Sequence, residues 1–182
     1  MIRLNLPAQF QTERCTIQRF GVEDAEAVFY AYASKPEATQ FVSWPTHQRL
    51  SDTQDYLRYA VSAWNSGSDY AYAIRLKETA RLIGSIGALN EDGKLQFGYI
   101  LSPSQWGRGF ATEVCRVFLQ MLSSQAQVYR IQSFVDADNI ASWRVLVKCG
   151  MVEEARLPRW FRFVNQGMKP KDCILFRYPM KS

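Results

Sequence analysis

The stretch that decides the fold reads Ser102-Pro103-Ser104-Gln105-Trp106-Gly107-Arg108-Gly109-Phe110-Ala111-Thr112. It connects an extended apolar segment, 94–101, to a segment with helical apolar spacing, 109–122. Gly107 and Gly109 carry no Cβ where the backbone turns into this helix, so an anion can approach the first free N–H groups closely. Those amides and the helix dipole favour negative charge, and Arg108 adds a full positive charge. The stretch therefore predicts a turn that binds a diphosphate.

A glycine pair before a helix also fits a tight turn that binds no ligand. The turn is neither a Walker A loop, since no Gly-Lys-Ser/Thr follows, nor the G-x-G-x-x-G of a dinucleotide-binding fold. A second group downstream supports a binding site: Asn139 and Ser142 open the next helix and share one of its faces. Asn139 also fits a plain helix N-cap.

Strand and helix patterns alternate on both sides of this turn. Strands are expected at 14–19, 70–76, 81–89, 94–101, 129–135, 151–164 and 173–178, and helices at 23–35, 51 or 52 to 64, 109–122 and about 139–149. Pro36 is expected to stop the first helix, and Gly150 to end the last one in a left-handed conformation. The segments from 70 to 101 predict an antiparallel meander. The helical crossover after it makes strands 94–101 and 129–135 parallel, which gives a mixed sheet of α+β character.

Composition and length predict one globular domain spanning 1–182. The chain has 182 residues, of which 47% are hydrophobic and 21% charged. Its longest apolar run, 27–33, is far below the roughly 18 residues of a membrane span. The first ten residues hold no apolar signal core, and the four cysteines include no C-x-x-C pair. We therefore expect a cytoplasmic protein with reduced thiols and no metal site.

Positive charge is concentrated in the C-terminal part of the chain. Residues 1–104 carry 10 basic and 11 acidic side chains, whereas residues 105–182 carry 12 basic and 6 acidic ones. This asymmetry suits an anionic ligand, although an ordinary solvated basic surface fits it as well. The basic residues are dispersed rather than clustered, which argues against nucleic-acid binding, and the short apolar runs argue against a membrane partner.

Four motifs together carry a family resemblance. They are Phe97-Gly98-Tyr99-Ile100-Leu101-Ser102-Pro103, Trp106 through Glu113, Asp138-Asn139 with Ser142, and Lys148-Cys149-Gly150-Met151. The chain resembles the GCN5-related N-acetyltransferase (GNAT) superfamily, and within it the RimJ/RimL-like branch that acetylates ribosomal-protein N-termini. The resemblance implies a mostly antiparallel sheet of about seven strands, splayed at its parallel pair and flanked by about four helices.

The resemblance also implies acetyl-CoA as cosubstrate, no metal, and a set of site residues. The cofactor-binding residues would be Leu101, Trp106, Gly107, Arg108, Gly109, Phe110, Ala111, Thr112 and Asn139. Leu101 would lie at a strand bulge, where its backbone binds the pantetheine arm and thioester carbonyl. Ser142 matches the serine that acts as the acid for the leaving thiolate in this branch, and Leu146 stands where many relatives carry a tyrosine for that role. A helix-face serine that bonds the backbone fits Ser142 as well. Gln96 stands where relatives often carry a glutamate base, so no base is assigned.

The implied reaction is direct attack of a primary amine on acetyl-CoA, in a monomer or a homodimer. The acceptor stays open between a protein N-terminus, a polyamine, an aminoglycoside and an amino acid. The missing tyrosine and Gln96 keep one alternative open, a non-catalytic acyl-CoA sensor on the same fold. Trp160, Phe161 and Phe163 either line an acceptor cleft or alternate along a half-buried strand. His47 either covers the acceptor site or is a surface histidine.

Overall fold

One eight-stranded sheet organises residues 2–180, which are the residues that the computed structural model describes. Its strands are β1 (Gln9–Gln11), β2 (Cys15–Arg19), β3 (Asp69–Leu76), β4 (Leu82–Glu91), β5 (Lys94–Leu101), β6 (Arg130–Asp136), β7 (Val152–Arg162) and β8 (Pro170–Arg177). Their order is β1-β2-β3-β4-β5-β6-β8-β7, and β5–β6 is the parallel pair among them. The predicted mixed sheet is confirmed. The additional strand is β1, which is too short to show an alternating pattern.

Five helices cover the two faces of this sheet in residues 2–180. They are α1 (Ala25–Val28), α2 (Pro36–Thr39), α3 (Leu50–Ser66), α4 (Phe110–Ser123) and α5 (Ile140–Lys148). Buried residues of α1 and α3 pack with Ala71 and Ala73 of β3, whereas α4 and α5 pack against the opposite face with Tyr72 and Phe97. No helix in this range is long and apolar enough to cross a bilayer.

The predicted helix over 23–35 is broken, which raises the helix count above about four. A 3₁₀ turn precedes α1, and a π-helical turn, Phe29–Ala33, follows it. The Ser34 amide and hydroxyl both donate to the Phe29 carbonyl, at 3.2 and 2.7 Å, and these bonds close the wider turn. Pro36 ends this segment as expected, yet it also begins α2, because the first helical position needs no N–H donor.

The sheet opens between its two parallel strands. Pairing of β5 with β6 runs from Lys94 opposite Arg130 only to Gln96 opposite Gln132. On its other side β5 stays in regular register with β4 as far as Leu101, and the Ser102 amide still donates to the Ile83 carbonyl at 2.7 Å. The expected bulge at Leu101 is therefore wrong, since the gap arises because β5 and β6 diverge. Backbone alternation then turns the Leu101 N–H away from β4 and into the gap.

Candidate active site

A cavity of about 1270 Å³ passes through the gap between β5 and β6 and reaches both faces of the sheet. We call one part the loop end; it is lined by Leu101, Trp106, Gly107, residues 109–112 of the turn, Asn139 and Ser142, whereas the predicted site residue Arg108 lies in the same turn but does not line the cavity. The other part, the acceptor end, lies beside α1–α3 and is lined by Tyr32, Glu37, Trp44, His47, Tyr56, Tyr59, Asp69, Phe161 and Phe163. The structure thus brings the residues predicted from separate motifs to one cavity.

The turn before α4 presents free backbone amides to the loop end. Gly107 and Gly109 adopt positive φ angles of 72° and 81°, the left-handed conformation that glycine tolerates best. The amides of Gly107 and of residues 109–112 donate to no acceptor within residues 2–180. A Cβ built on Gly107 would meet nothing within 4 Å. The turn is therefore open to an anion, as its sequence predicts.

Two guanidinium groups hold and charge this turn. Arg108 donates to the Gln105 side chain at 2.7 Å. Arg14, which immediately precedes β2, donates to the Arg108 carbonyl at 3.0 Å and to the Glu113 carboxylate at 2.7 Å. Burial raises the pKa of Glu113, but hydrogen bonds from Thr12 and Arg14 outweigh it and hold that pKa below its ordinary value. Sequence reasoning missed Arg14 and Gln105, since Arg14 lies far from the turn in the chain.

Trp106 and Leu101 meet across the mouth of the loop end. The Trp106 indole N–H donates to the Leu101 carbonyl at 3.1 Å, while half of the Trp106 surface stays exposed. This bond uses the Leu101 carbonyl and leaves its N–H directed into the gap. Phe110, another predicted turn residue, has its side chain in the core, and the guanidinium groups of Arg14 and Arg108 lie over its ring.

The start of α5 combines capping with two hydroxyl groups. The Asn139 side-chain oxygen accepts the Ser142 amide at 3.1 Å, which confirms the N-cap interpretation. The Asn139 amide nitrogen has no partner within residues 2–180, so the same residue also offers a donor to the cavity it lines. The Tyr99 hydroxyl donates to the Ser142 hydroxyl at 3.4 Å. Leu146, where relatives carry tyrosine, is buried in the core.

Tyr99 is a site residue that the sequence did not single out. It lies on β5, directly across the gap from α5, and it lines the same cavity as Ser142. Burial raises the pKa of the Tyr99 phenol well above its ordinary value. The phenol therefore stays protonated at neutral pH and can donate to Ser142. The one signal for Tyr99 in the sequence is its place in the motif Phe97 through Pro103. Spacing along the strand does not reveal that its partner is Ser142.

The acceptor end holds two groups that can accept a proton at neutral pH. Burial raises the pKa of Asp69 to about 6, and its carboxylate forms no ion pair within residues 2–180. His47 has its Nδ1 2.7 Å from the Thr53 hydroxyl, and its ring packs 5.1 Å from the Trp44 ring. Burial lowers the pKa of His47, so it is mostly neutral. His47 is thus part of the cavity wall rather than a free surface residue.

Asn165 shapes the acceptor end from outside it. Its side chain donates to the Thr39 and Trp44 carbonyls at 2.7 and 2.9 Å and accepts the Thr46 amide at 3.0 Å. These bonds fix the 40–47 loop against the turn between β7 and β8. Phe161 and Phe163 line the cavity, which agrees with the interpretation that they line an acceptor cleft. Trp160 lies outside the cavity and is exposed.

The remaining candidate groups are accounted for by other contacts. Gln96 lines the cavity and accepts a hydrogen bond from Gln132 at 3.3 Å. Glu153 and Glu154 lie on β7, where they pair with Arg156 and Arg130. Within residues 2–180 no group of three or more His, Cys, Asp or Glu side chains is placed to hold a metal ion.

The family assignment follows from sequence comparison. The sequence model of the acetyltransferase (GNAT) domain matches residues 14–152, well over half of the chain. The chain belongs to the GNAT acetyltransferases. The matched region contains the turn, Asn139 and Ser142. The expectation of an acetyl-CoA-dependent acyltransferase is therefore confirmed.

Similar proteins agree with this assignment. This GNAT acetyltransferase is 28% identical over 149 residues to the uncharacterized N-acetyltransferase p20 of Bacillus licheniformis, covering 80% of this chain and 83% of p20. The microcin C7 self-immunity acetyltransferase MccE, solved with acetyl-CoA and AMP, has a TM-score of 0.85 at 15% identity, covering 96% of this chain and 98% of that one. Mycobacterium smegmatis RimJ, solved with CoA-disulfide, has a TM-score of 0.84 at 17% identity, covering 97% and 89%. At these identities the two structures support the fold alone.

Proposed function

We propose that this GNAT acetyltransferase transfers the acetyl group of acetyl-CoA to a primary amine by direct attack within one ternary complex. The observation that carries the proposal is the single cavity, which joins the free amides of the loop end to the acceptor end through the gap in the sheet. Two substrates entering from opposite faces would meet beside Leu101. Such a shared site converts a bimolecular reaction into an oriented one.

The loop end has donors for the diphosphate and the pantetheine arm of acetyl-CoA. The free amides of Gly107 and residues 109–112 suit the diphosphate, with Arg108 adding charge and Trp106 covering the turn. The free amide nitrogen of Asn139 suits a pantetheine carbonyl. The Leu101 N–H, directed into the gap, is the donor for the thioester oxygen as negative charge develops there.

Ser142 is the proposed proton donor to the leaving thiolate. Tyr99 donates its own hydrogen to the Ser142 oxygen, so the Ser142 hydrogen is free to be given. As Ser142 gives its proton to the thiolate, the hydrogen bond from Tyr99 stabilises the charge on the Ser142 oxygen, and the proton that the attacking amine loses restores the hydroxyl through water. Tyr99 keeps its own proton because burial raises its pKa, and the pair takes the role of the tyrosine that Leu146 replaces. A positioned donor of this kind contributes roughly 10²-fold or more to the rate.

The attacking amine must lose a proton before it can react. An alkyl amine with a pKa near about 10 is mostly charged at pH 7. His47 and Asp69 are the acceptor-end groups with pKa values suited to accept this proton, directly or through water. Gln96 cannot accept one, because its side chain is an amide.

A thiol-release assay with acetyl-CoA tests the proposal. The purified protein is incubated with peptides bearing free N-termini and with small primary amines, and acetylated products are identified by mass spectrometry. We expect amine-dependent release of CoA in equal amount to acetylated product. Reactions without amine control for hydrolysis. Tight acetyl-CoA binding in calorimetry with no amine-dependent release would instead favour the acyl-CoA sensor. That alternative is motivated by Gln96, which stands where relatives often carry a glutamate base.

A further inference from the structure

The two ends of the cavity differ in charge. The charged side chains that line the acceptor end are the carboxylates Glu37 and Asp69, whereas Arg144 and Lys148 of α5 line the cavity on the α4–α5 side. In the described part of the chain no lysine or arginine lines the acceptor end. This arrangement suits a cationic amine and opposes an acceptor that bears phosphate or carboxylate groups.

The walls of the acceptor end are aromatic and its floor is bare. The wall rings belong to Trp44, Tyr56, Tyr59, Phe134, Phe161 and Phe163. The floor is a row across three strands, in which Gly87 pairs with Ala71 on one side and with Gly98 on the other. A row whose one side chain is the methyl group of Ala71 leaves a nearly flat surface on which a ring can lie. Aromatic walls also attract an organic cation through their π faces.

One buried polar group in this end has no partner. The Tyr32 side chain, from the π-helical turn, is 1% exposed, yet its hydroxyl forms no hydrogen bond within residues 2–180. The Ser85 hydroxyl faces it without reaching hydrogen-bond geometry. Buried hydroxyl groups are almost always satisfied, so an orphan beside a cavity needs an explanation, and a bond completed by a ligand is one. The π-helical turn that carries Tyr32 is also of a kind that frequently occurs at functional sites.

We propose that the acceptor is a primary amine carried on an aromatic or bulky apolar body, and that the Tyr32 hydroxyl is the hydrogen-bonding group that holds it. This inference rests on the proposed acetyl transfer and adds the class of acceptor. The amine nitrogen points through the gap toward Leu101, the body lies on the Gly87 floor, and Tyr32 bonds a polar atom of the acceptor. A polyhydroxylated amine is disfavoured, because its hydroxyl groups would lie unpaired against aromatic walls.

Matched amines test the acceptor class. Cyclohexylamine and glucosamine both carry a primary amine on a six-membered ring, one apolar and one hydroxylated. We expect kcat/KM for cyclohexylamine to be at least about tenfold higher than for glucosamine. A preference for glucosamine would overturn the inference and leave acetyl transfer intact. If no amine is acetylated while acetyl-CoA still binds, the proposed function fails and the inference fails with it.

Tyr32→Phe tests the hydroxyl, and Tyr30→Phe is its matched control. Tyr30 lies in the same π-helical turn, is 68% exposed and does not line the cavity. For Tyr32→Phe we expect the KM of tyramine, whose ring carries a hydroxyl group, to rise about five- to tenfold while that of 2-phenylethylamine stays unchanged, with unchanged acetyl-CoA Kd and a melting temperature no lower than that of the parent. Equal KM values for the two variants would overturn the role of Tyr32. A fall in melting temperature without a change in KM would assign it a structural role instead.

Discussion

The loop end and the acceptor end of the cavity are built in different ways. The loop end depends on consecutive residues: its binding groups are backbone amides, and their directions follow from two glycine conformations and the start of α4. The acceptor end depends on side chains that come from α1–α3, the 40–47 loop and three strands. A site made from backbone is largely encoded by local sequence, whereas a site made from side chains exists only once the whole chain has folded.

The two ends also differ in how their polar groups are satisfied. At the loop end, Arg14, Arg108 and Trp106 each hold a protein partner. At the acceptor end the Tyr32 hydroxyl does not, within residues 2–180. Unpaired buried groups reduce stability. Substitutions at the loop end should therefore weaken acetyl-CoA binding. Substitutions that remove an unpaired group at the acceptor end should lower activity and raise the free energy of unfolding.

Gly109→Val is expected to have the largest effect. Valine is strained at a φ of 81°, and relieving the strain turns the free amides of the turn away from their common direction. Acetyl-CoA binding, measured by calorimetry, should weaken on the order of 100-fold or more.

Gly167→Val provides the control for backbone strain alone. Gly167 has a φ of 67°, lies in the turn between β7 and β8, and has no neighbour within 4 Å of an added Cβ. Both variants should lose a similar roughly 1–3 kcal/mol of stability, but only Gly109→Val should lose acetyl-CoA binding. Equal Kd values in the two variants would refute the backbone site.

Ser142→Ala should lower kcat without weakening acetyl-CoA binding. The alanine keeps the backbone amide that Asn139 caps, so α5 keeps its start and only the hydroxyl is lost. We expect kcat to fall about 10- to 100-fold, with Tyr99→Phe giving a smaller loss. Ser124→Ala, at the exposed end of α4, is the control for loss of a serine hydroxyl. An unchanged kcat in steady-state kinetics would exclude Ser142 as the proton donor.

Sequence predicted the loop end well because its signals are local. The paired glycines, the helix start and the Asn139 cap each need only neighbouring residues to operate. The expected bulge at Leu101 failed because the gap depends on how β6 leaves β5, which no residue in the turn specifies.

The acceptor end could not be assembled in the same way. Tyr32 was assigned to a continuous helix, and the hydrogen bonds of Ser34 that widen this turn have no signature in helical spacing. Asn165 lies between the predicted strands 151–164 and 173–178, yet it fixes a loop more than a hundred residues away. Asp69 lies just before the predicted strand 70–76, and its raised pKa depends on burial that only the folded chain provides.

Asp69→Asn should stabilise the protein in a pH-dependent way. Burial raises the folded-state pKa from 3.8 to about 6, so the folded state holds the proton more tightly than the unfolded state. Stability from this group is complete below pH 4 and is lost as pH rises through about 6. The variant should therefore gain about 1–3 kcal/mol at pH 7 and little at pH 4, as measured by urea unfolding.

Asp55→Asn on α3 is the matched control for the Asp69 change. Asp55 is exposed, and removing its charge should leave the free energy of unfolding almost constant between pH 4 and 7. A gain for Asp69→Asn that does not depend on pH would show that the carboxylate ionises normally. In the amine assay the same variant should lower kcat/KM, because the acceptor end loses one of its two carboxylates.

Arg14→Lys is expected to have the smallest effect, and it sharpens the comparison most. Arg14 is a distant side chain that holds the turn, through the Arg108 carbonyl and the Glu113 carboxylate together. A lysine ammonium can serve one of these acceptors well but not both. We expect acetyl-CoA Kd to rise about two- to fivefold. Arg58→Lys, at an exposed position of α3, is the control. A loss well above tenfold would mean that the loop end, like the acceptor end, depends on long-range side chains. A Kd equal to that of the parent would mean that residues 102–112 set the amide directions by themselves.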